Sequence, residues 1–323
     1  MNEGRRTRDR RLTSRLSKLA VLPRLVALLA LAGPAGSQPR PPSRDLRLEY
    51  PARLLRQNGR DVRVHLPLSY NLGAAAGRRY PVVYLLHGFP GRAGDWLGRG
   101  DAGEIADMLA ASGAIPEVIL VCPDGNRGFF GRSLWADRWD GSFPLARSFV
   151  RELVPWVDST FRTVPDAGHR ALIGLSDGAT GGLNLLLHNP DVFSAWGGHS
   201  GEYRLQMDFG MGGIVGPRPE AEVRLRAMSP LEAISDRHAI SRARALYFDC
   251  GREDESLAEN RELHARLDSL GVAHEWDVFP GSHTWDYWRQ HLQRSLMAVC
   301  GGMRPESAPR PSDTVPGSSD SGR

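Results

Sequence analysis

Cysteine is scarce in this 323-residue chain, in which Cys122, Cys250 and Cys300 are the only three. An odd number of cysteines without metal-binding spacing does not support a disulfide framework or a zinc cluster. Cys122 and Cys250 fall in predicted buried strands, where a free thiol behaves as a small apolar side chain. The sequence therefore predicts a fold without a disulfide framework.

The chain also lacks an apolar run long enough to anchor it in a bilayer. Its N-terminal run, residues 25–31, is far too short to span one. This run follows a long basic stretch and precedes the small residues 35–37, where cleavage could occur. The arrangement predicts an export signal in residues 1–37 and a periplasmic or secreted protein. The alternative is a disordered basic extension on a cytoplasmic protein.

Basic charge is concentrated in that leader. The whole chain has a formal net charge of +4. Residues 1–37 hold eight basic and two acidic residues and so carry +6, which leaves −2 on the remainder. A mildly acidic body has no basic surface for nucleic acid, so we expect no nucleic-acid partner. Residues 303–323 are rich in Pro, Ser, Asp and Gly, which predicts a disordered tail.

Residues 38–302 contain no repeat and no linker, so we expect one domain. Two strands, 46–56 and 61–67, are joined by the hairpin signal Gln57-Asn58-Gly59. Strands then alternate with helices, which predicts an α/β fold with a mostly parallel sheet, helices on both faces and function at the carboxyl ends of the strands. The predicted strands are 80–86, 117–122, the run from 170, 192–198, 243–249 and 273–279, and the predicted helices are 103–112, 144–161, 257–270 and 285–299.

Two long segments interrupt this alternation. Residues 126–142 read as an aromatic-rich loop. Residues 203–234 show little periodicity, so 200–236 is a candidate cap inserted over a site. A flexible surface loop explains the same pattern equally well.

The chain is organised around Gly174-Leu-Ser-Asp-Gly178. An apolar strand leads into this motif, and small and aliphatic residues typical of a buried helix follow it. A G-x-S-x-G motif between a strand and a helix predicts a nucleophile elbow, in which a strained turn holds the serine above the sheet edge. Ser176 is therefore the candidate nucleophile, at the positive end of the following helix.

A serine hydroxyl needs a base to take its proton, and in this fold the base follows the acid along the chain. His283 lies in a glycine-containing loop after the last predicted strand, where that base is required. His199 follows the strand after the elbow and is a weaker rival. The other histidines beyond Ser176 lie on or near predicted helices or at the start of a strand, where packing or surface roles are usual.

The acid that orients the base should follow the preceding strand. Asp254 lies in the turn beyond that strand and is the preferred candidate. Asp249, Glu253 and Glu255 remain rivals, and the cluster could instead be a solvated turn that caps the next helix.

A tetrahedral intermediate also needs backbone N–H donors for its oxyanion. We expect one donor from Asp177, directly after the nucleophile, and the second from Phe89 in the loop after the 80–86 strand. His87 is expected to support that loop rather than to act as a second base.

Six motifs then occur in one order over residues 46–299. They are Tyr84-Leu-Leu-His-Gly88, Pro123-Asp-Gly125, Glu152-Leu-Val-Pro155, Gly174-Leu-Ser-Asp-Gly178, Asp249-Cys-Gly251 through Asp254, and Pro280-Gly-Ser-His-Thr-Trp285. Together they resemble the Putative esterase family of α/β-hydrolases, which groups esterase D and S-formylglutathione hydrolase with enterochelin-type, feruloyl and acetyl-xylan esterases and mycolyltransferases. The resemblance implies an α/β-hydrolase fold with Ser176, Asp254 and His283 as triad and Phe89 and Asp177 as oxyanion donors.

The chain departs from that family at two positions. Asp177 stands where methionine is usual, and its carboxylate beside the oxyanion hole could repel the developing charge unless it points away or is paired. Ala179 stands where a second glycine is usual. These departures bear on rate and substrate range more than on the class of reaction.

The predicted function is a serine carboxylesterase that needs no metal or organic cofactor. Trp96, Asn126, Trp139 and Trp285 are the candidate substrate-binding residues, and aromatic side chains along a cleft suit a small-molecule or carbohydrate-linked ester. The alternatives are an acyltransferase with the same triad and a binding protein that has lost the chemistry. The sequence makes no prediction of oligomeric state.

Overall fold

An eight-stranded sheet runs through the centre of the fold. The computed structural model describes residues 44–303, apart from residues 129, 130, 209, 236, 237 and 239. The strands are β1 (Asp45–Ala52), β2 (Gln57–His65), β3 (Val82–Leu86), β4 (Ile119–Pro123), β5 (Arg170–Leu175), β6 (Ala195–His199), β7 (Ala245–Gly251) and β8 (Glu275–Phe279). Their order in the sheet is β1-β2-β4-β3-β5-β6-β7-β8. β1 pairs antiparallel with β2, and β2 pairs antiparallel with β4. The strands β3 to β8 run parallel to one another.

Helices cover both faces of this sheet. In the described residues they are α1 (Asp95–Gly98), α2 (Ala102–Ala111), α3 (Leu145–Ser148), α4 (Val154–Thr160), α5 (Asp177–His188), α6 (Met211–Val215), α7 (Glu220–Met228), α8 (Pro230–Ala233), α9 (Leu257–Ser269) and α10 (Trp285–Cys300). A π-helical turn at Phe149–Leu153 joins α3 to α4, so the predicted helix at 144–161 is continuous. The predicted α/β-hydrolase architecture is confirmed.

The core is divided between the two faces by the alternation of side chains along each strand. In β3, Val82, Tyr84 and Leu86 lie on one face, in an apolar cluster that also contains residues of α3 to α5 and α9. Val83 and Leu85 pack with α1, α2 and α10 on the other face. Because both faces of β3 are buried, its sequence is continuously apolar rather than alternating.

The predicted hairpin turn at Gln57-Asn58-Gly59 is wrong, because these residues begin β2. The chain instead reverses through a 3₁₀ turn at Arg53–Leu55, and Arg56 takes the left-handed conformation with a φ of 56°. Leu55 is buried in the core, so an apolar side chain anchors the turn. The burial of Leu55 therefore outweighed the turn propensity of Gln57-Asn58-Gly59.

The candidate cap is a folded helical segment. Residues 203–234 contain α6, α7 and α8. α6 and α7 share a small apolar core with the preceding aromatic-rich loop, whereas Leu231 of α8 packs in the main core. That loop is also joined to the segment by a hydrogen bond of 2.8 Å from the Trp139 amide to the Ile214 carbonyl. The sequence of this segment lacks helical periodicity because its three helices are short and are separated by turns, and not because the segment is an unstructured loop.

The predicted leader, residues 1–37, lies outside the described residues, as does all of the predicted tail except Met303. Met303 is 3% exposed and packs with α10 against the core, so that one residue was wrongly assigned to the tail. Cys122 and Cys250 are buried in strands, as predicted, Cys300 is buried as well, and all three are free. Among the described helices, none combines the length and the apolar character needed to cross a membrane.

Candidate active site

Ser176 occupies a sharp turn between the end of β5 and the start of α5. Its φ of 52° and ψ of −126° are strained for a residue with a side chain. A Cβ on Gly174 would lie 2.1 Å from the Gly178 carbonyl oxygen, and one on Gly178 would lie 2.2 Å from that of Leu86. The turn therefore requires glycine on both sides of the serine, as expected of a nucleophile elbow.

Neighbouring strands fix the height of this turn above the sheet. In the parallel register, Leu86 of β3 lies opposite Gly174, and Leu175 lies opposite His199 of β6. The amide of Ser176 donates a 2.9 Å hydrogen bond to the His199 carbonyl. The carboxyl ends of these strands therefore meet at the serine, as the fold class predicts.

Asp254 and His283 form a hydrogen-bonded pair in the loops after β7 and β8. His283 Nδ1 lies 3.0 Å from Asp254 Oδ2 and 3.2 Å from Oδ1. The amide and hydroxyl of Ser256 donate to Asp254 Oδ1 at 2.9 and 2.7 Å. This arrangement holds the imidazole with Nδ1 toward the acid, which leaves Nε2 to exchange a proton with another group.

The pKa values of the pair are shifted in opposite directions. Burial favours the protonated form of Asp254, but hydrogen bonds from His283 and Ser256 outweigh burial and lower the pKa of Asp254 to about 2. Burial favours neutral His283, but the hydrogen bond and charge of Asp254 outweigh it and raise the pKa of His283 above the ordinary 6.5. Near neutral pH the acid is therefore ionised and stabilises a proton on the base.

The rival acids and the rival base lie elsewhere. Asp249 accepts hydrogen bonds from Tyr247 and Tyr287 at 2.7 and 3.0 Å and faces His199. His199 is the last residue of β6 rather than a loop residue, and it is 0% exposed, with Nε2 2.9 Å from the Ser295 hydroxyl. A buried histidine with both ring nitrogens engaged cannot reach a substrate from solvent.

Glu253 and Glu255 are also separate from the base. Glu253 Oε2 accepts a 2.6 Å hydrogen bond from the amide of Gly281, and Glu255 is exposed. Among the four acidic candidates, Asp254 alone hydrogen-bonds to His283 in the described part of the chain.

Ser176 and His283 line one pocket of about 370 Å³. Among the hydrogen bonds of the described residues, none joins the Ser176 hydroxyl to His283, and such contacts in unliganded enzymes often form only when substrate binds. The rest of the wall consists of Gly88, Phe89, Pro90, Gly91, Asp95, Arg99, Leu175, Thr284, Trp285 and Trp288. The structure thus brings the candidate nucleophile, the candidate base and Phe89 to one cavity.

The loop that carries Phe89 packs directly on the elbow. A Cβ on Gly88 would lie 2.9 Å from Ser176 Cβ, so the backbone there approaches the serine closely. His87 supports the loop: its Nε2 accepts from the Gly125 amide at 2.9 Å, and its Nδ1 lies 2.8 Å from the Gly88 carbonyl. Because Nε2 accepts, Nδ1 carries the proton, and the ring ties two loops together.

The carboxylate of Asp177 is paired. Arg132 donates from Nε to Asp177 Oδ2 at 2.8 Å and from Nη2 to Oδ1 at 2.6 Å. The same guanidinium contacts Glu202 at 2.9 Å and both oxygens of Asp208 at 2.9 Å. The Arg132 and Asp177 side chains are 7% and 5% exposed, so this is a buried bidentate ion pair directly behind the elbow.

No sequence pattern pointed to Arg132. It lies 45 positions before Asp177 in the irregular aromatic-rich loop, where neither periodicity nor a motif predicts a partner. Burial opposes the charge on Arg132, but its three acidic neighbours outweigh burial and raise the pKa of Arg132. Ala179, the second departure from the family pattern, is buried in the core, and its carbonyl accepts a 3.1 Å hydrogen bond from Trp196.

The four candidate substrate-binding residues lie in different environments. Trp285 lines the pocket, whereas Trp96 is 1% exposed behind it, with ring centroids 5.5 Å apart. Asn126 lines an adjoining cavity of about 440 Å³ and donates to the Gly91 carbonyl at 2.8 Å. Trp139 lines neither cavity and packs against Gly216, with the Arg224 guanidinium 5.4 Å from its ring. Only Trp285 therefore lies beside Ser176.

Comparisons with known proteins identify relatives of this site and fold. A Mycobacterium tuberculosis protein named as an esterase is 29% identical over 280 residues, which cover 76% of this chain and 57% of that protein. The endo-1,4-beta-xylanase/feruloyl esterase of Xylanibacter ruminicola is 29% identical over 242 residues, which cover 73% of this chain and 28% of that protein. The chain thus spans less than two thirds of the length of these curated relatives.

Solved structures share the fold over nearly their whole length. A ferulic acid esterase superposes with a TM-score of 0.71 at 25% identity, covering 80% of this chain and 97% of that one. The S-formylglutathione hydrolase of Staphylococcus aureus has a TM-score of 0.62 at 17% identity, covering 78% and 96%. The family described as "Putative esterase" matches residues 56–299. The chain belongs to this family of α/β-hydrolases.

Proposed function

We propose that the protein is a serine carboxylic-ester hydrolase that works through an acyl-enzyme formed on Ser176. The observation that carries the proposal is the Asp254–His283 hydrogen bond at the pocket that also contains the elbow serine. Membership of the Putative esterase family supports the reaction class. The strained turn supports Ser176 as nucleophile, because a turn of this kind presents the serine hydroxyl to the pocket that Ser176 lines.

The reaction proceeds in two halves. Ser176 Oγ attacks the ester carbonyl while His283 Nε2 takes its proton, and Asp254 stabilises the imidazolium that results. His283 then gives the proton to the departing alcohol, which leaves the acyl group on Ser176. Water, deprotonated by the same histidine, attacks this acyl-enzyme and releases the acid. In both halves the proton is transferred through His283, which lines the pocket with Ser176.

The oxyanion of each tetrahedral intermediate is stabilised by the amides of Phe89 and Asp177. Asp177 is the first residue of α5, so its amide lies at the positive end of the helix dipole. Its carboxylate would oppose this stabilisation if it were unpaired, and the bidentate ion pair with Arg132 offsets that charge. Arg132 is thus a positioning residue that allows an acidic residue at this location.

The substrate class is inferred from the pocket wall. Trp285 and Trp288 meet edge to face at 5.4 Å, and the Arg99 guanidinium lies 5.0 Å from the Trp285 ring. Flat apolar walls with a few polar groups suit esters of planar aromatic acids, including those linked to a carbohydrate. The similarity to ferulic acid esterases supports the same class.

A fluorophosphonate probe tests the acyl-enzyme step directly. The probe phosphonylates an activated serine with loss of fluoride, so intact-mass analysis of the full chain should show one adduct, located on Ser176 by peptide mapping. Ser176→Ala should remain unlabelled, and heat-denatured wild-type protein should lose labelling. An adduct on another serine, or no adduct on folded protein, would contradict the proposal.

The pH dependence of kcat/KM should show an inflection above 6.5. Only neutral His283 can accept the serine proton, and its pKa is raised above 6.5, so the rate rises with pH until that inflection. The charge of Glu202 contributes to this rise in the pKa of His283, so Glu202→Gln should move the inflection to lower pH while activity at high pH is retained. Asp191→Asn, an exposed surface control, should leave the profile unchanged; equal profiles for all three proteins would refute the assignment.

A further inference from the structure

Three metal-ligand side chains meet at the far end of α9, outside the candidate active site. His264 and Asp268 are four residues apart on this helix and so lie on the same face. The chain leaves the helix, turns at Gly271, which has a φ of 62°, and returns to place His274 beside them just before β8. None of the three lines the Ser176 pocket.

The possible ligand atoms of the three residues form one cluster. His264 Nδ1 lies 2.8 Å from His274 Nε2, and Asp268 lies 3.4 Å from His264 Nε2 and 3.9 Å from His274 Nε2. One ligand atom from each residue falls within 4.8 Å of the others. Two imidazole nitrogens bound to one tetrahedral zinc ion are about 3.3 Å apart. His264 Nδ1 and His274 Nε2 would therefore have to move apart by only about half an ångström to bind an ion together.

The two rings are held in place from behind. His274 Nδ1 lies 2.8 Å from the Val272 carbonyl, so Nδ1 carries the proton and the Nε2 lone pair points into the cluster. Phe248 stacks on His274, and Trp276 stacks on His264. The His274 side chain is 4% exposed. A backbone carbonyl that orients a ligating imidazole is the usual support of a metal site.

Charge and access favour a cation at this cluster. Among the described residues, no arginine or lysine pairs with Asp268, whose side chain is 63% exposed. Imidazoles bind a metal in their neutral form, so with the Asp268 carboxylate the three ligands would carry one negative charge, which favours a cation. The exposed side leaves room for water as a further ligand. Two nitrogen ligands favour zinc and its neighbours over magnesium or calcium, which prefer oxygen.

We infer that His264, Asp268 and His274 form a binding site for a divalent transition-metal ion, with Zn²⁺ as its representative. The ion would join the C-terminal half of α9 to the segment that enters β8, the edge strand of the sheet. At 1.5 Å per residue, His264 and Asp268 lie roughly 10 and 17 Å along the axis from the first residue of α9, which follows the Asp254 loop. The site therefore stabilises the fold at a distance from the ester chemistry.

Zinc titration of the full chain tests the site. The protein is prepared without a polyhistidine tag, stripped with a chelator and dialysed, and then titrated calorimetrically with ZnCl₂. One saturable site per chain is expected, and Zn²⁺ at about 100 times its dissociation constant should raise the thermal midpoint by about 5 °C. Mg²⁺ should give neither response.

Variants separate this site from general surface binding. Asp268→Asn changes an exposed side chain and should weaken zinc binding at least about tenfold, and His264→Gln should weaken it further. His169→Gln is the matched control, because His169 and Asp166 form a pair at 2.9 Å that has no third His, Cys, Asp or Glu ligand beside it in the described part of the chain. Absence of saturable binding to wild-type protein overturns the inference, as does equal affinity in wild-type, Asp268→Asn and His264→Gln proteins.

Discussion

Replacing Ser176 with alanine should lower kcat for ester hydrolysis by about 10⁵-fold, and His283→Ala should cause a loss of similar size. Each variant removes one half of the proton-transfer pair that makes the hydroxyl a nucleophile. The double variant should be no slower than either single one, because the two groups act as a unit. The measurement is hydrolysis of a p-nitrophenyl ester panel that includes aromatic acyl groups, with the folded state of each variant checked by circular dichroism.

Two controls make this result specific. Ser194→Ala alters a buried serine at the opposite end of the neighbouring strand, and His188→Ala alters an exposed histidine at the end of α5. Both should retain activity close to that of the wild type. If Ser176→Ala and His283→Ala retained wild-type rates while folded, the ester chemistry would have to reside elsewhere. Loss in one variant without the other would refute the paired mechanism.

The parts of the site that the sequence predicted are those set by local chain geometry and strand order. The elbow is local, since glycines on both sides of Ser176 are required by contacts with the adjoining backbone. Asp254 and His283 follow strands that are neighbours in a parallel sheet, so their loops meet at one edge. Their hydrogen bond in the structure agrees with that prediction, whereas their catalytic roles stay proposals.

The features that the sequence did not predict depend on contacts between distant segments. Arg132 reaches Asp177 across 45 positions, from a loop with no regular pattern. Trp96 and Trp139 differ in environment although both were candidate substrate-binding residues: Trp96 is buried under Trp285, and Trp139 packs on the helical insert. Residue type alone does not show which aromatic side chain faces a cavity.

The Arg132–Asp177 pair gives the second large effect. Arg132→Met should lower kcat/KM by roughly 10²-fold, comparable to the loss of one oxyanion donor, because it leaves an unpaired carboxylate beside the amide that stabilises the oxyanion. It should also lower the free energy of unfolding by about 3–5 kcal/mol, since a buried charge loses its partner. Both quantities are measured on the same preparations, by ester hydrolysis and by denaturant unfolding.

The double variant Arg132→Met/Asp177→Met distinguishes charge from packing. Methionine is usual after the nucleophile in this family, and exchanging a buried ion pair for apolar residues of similar volume is often neutral for stability. Glu202 and Asp208 keep solvent contact, with side chains 38% and 48% exposed. The double variant should therefore recover most of the activity that Arg132→Met loses, and Asp177→Met alone should remain close to wild type.

A second buried ion pair, at the start of the strand that leads to Ser176, provides the matched control. Arg170, the first residue of β5, pairs with Asp158 at 2.5 Å, with side chains 8% and 18% exposed. Arg170→Met should destabilise the fold as Arg132→Met does, but it should leave kcat/KM of the folded protein unchanged, because the pair lies at the opposite end of the strand from Ser176. If both arginine variants lose activity equally, the effect is one of stability. If Arg132→Met alone loses activity and the added Asp177→Met substitution restores it, the Asp177 carboxylate must be neutralised for the oxyanion to form.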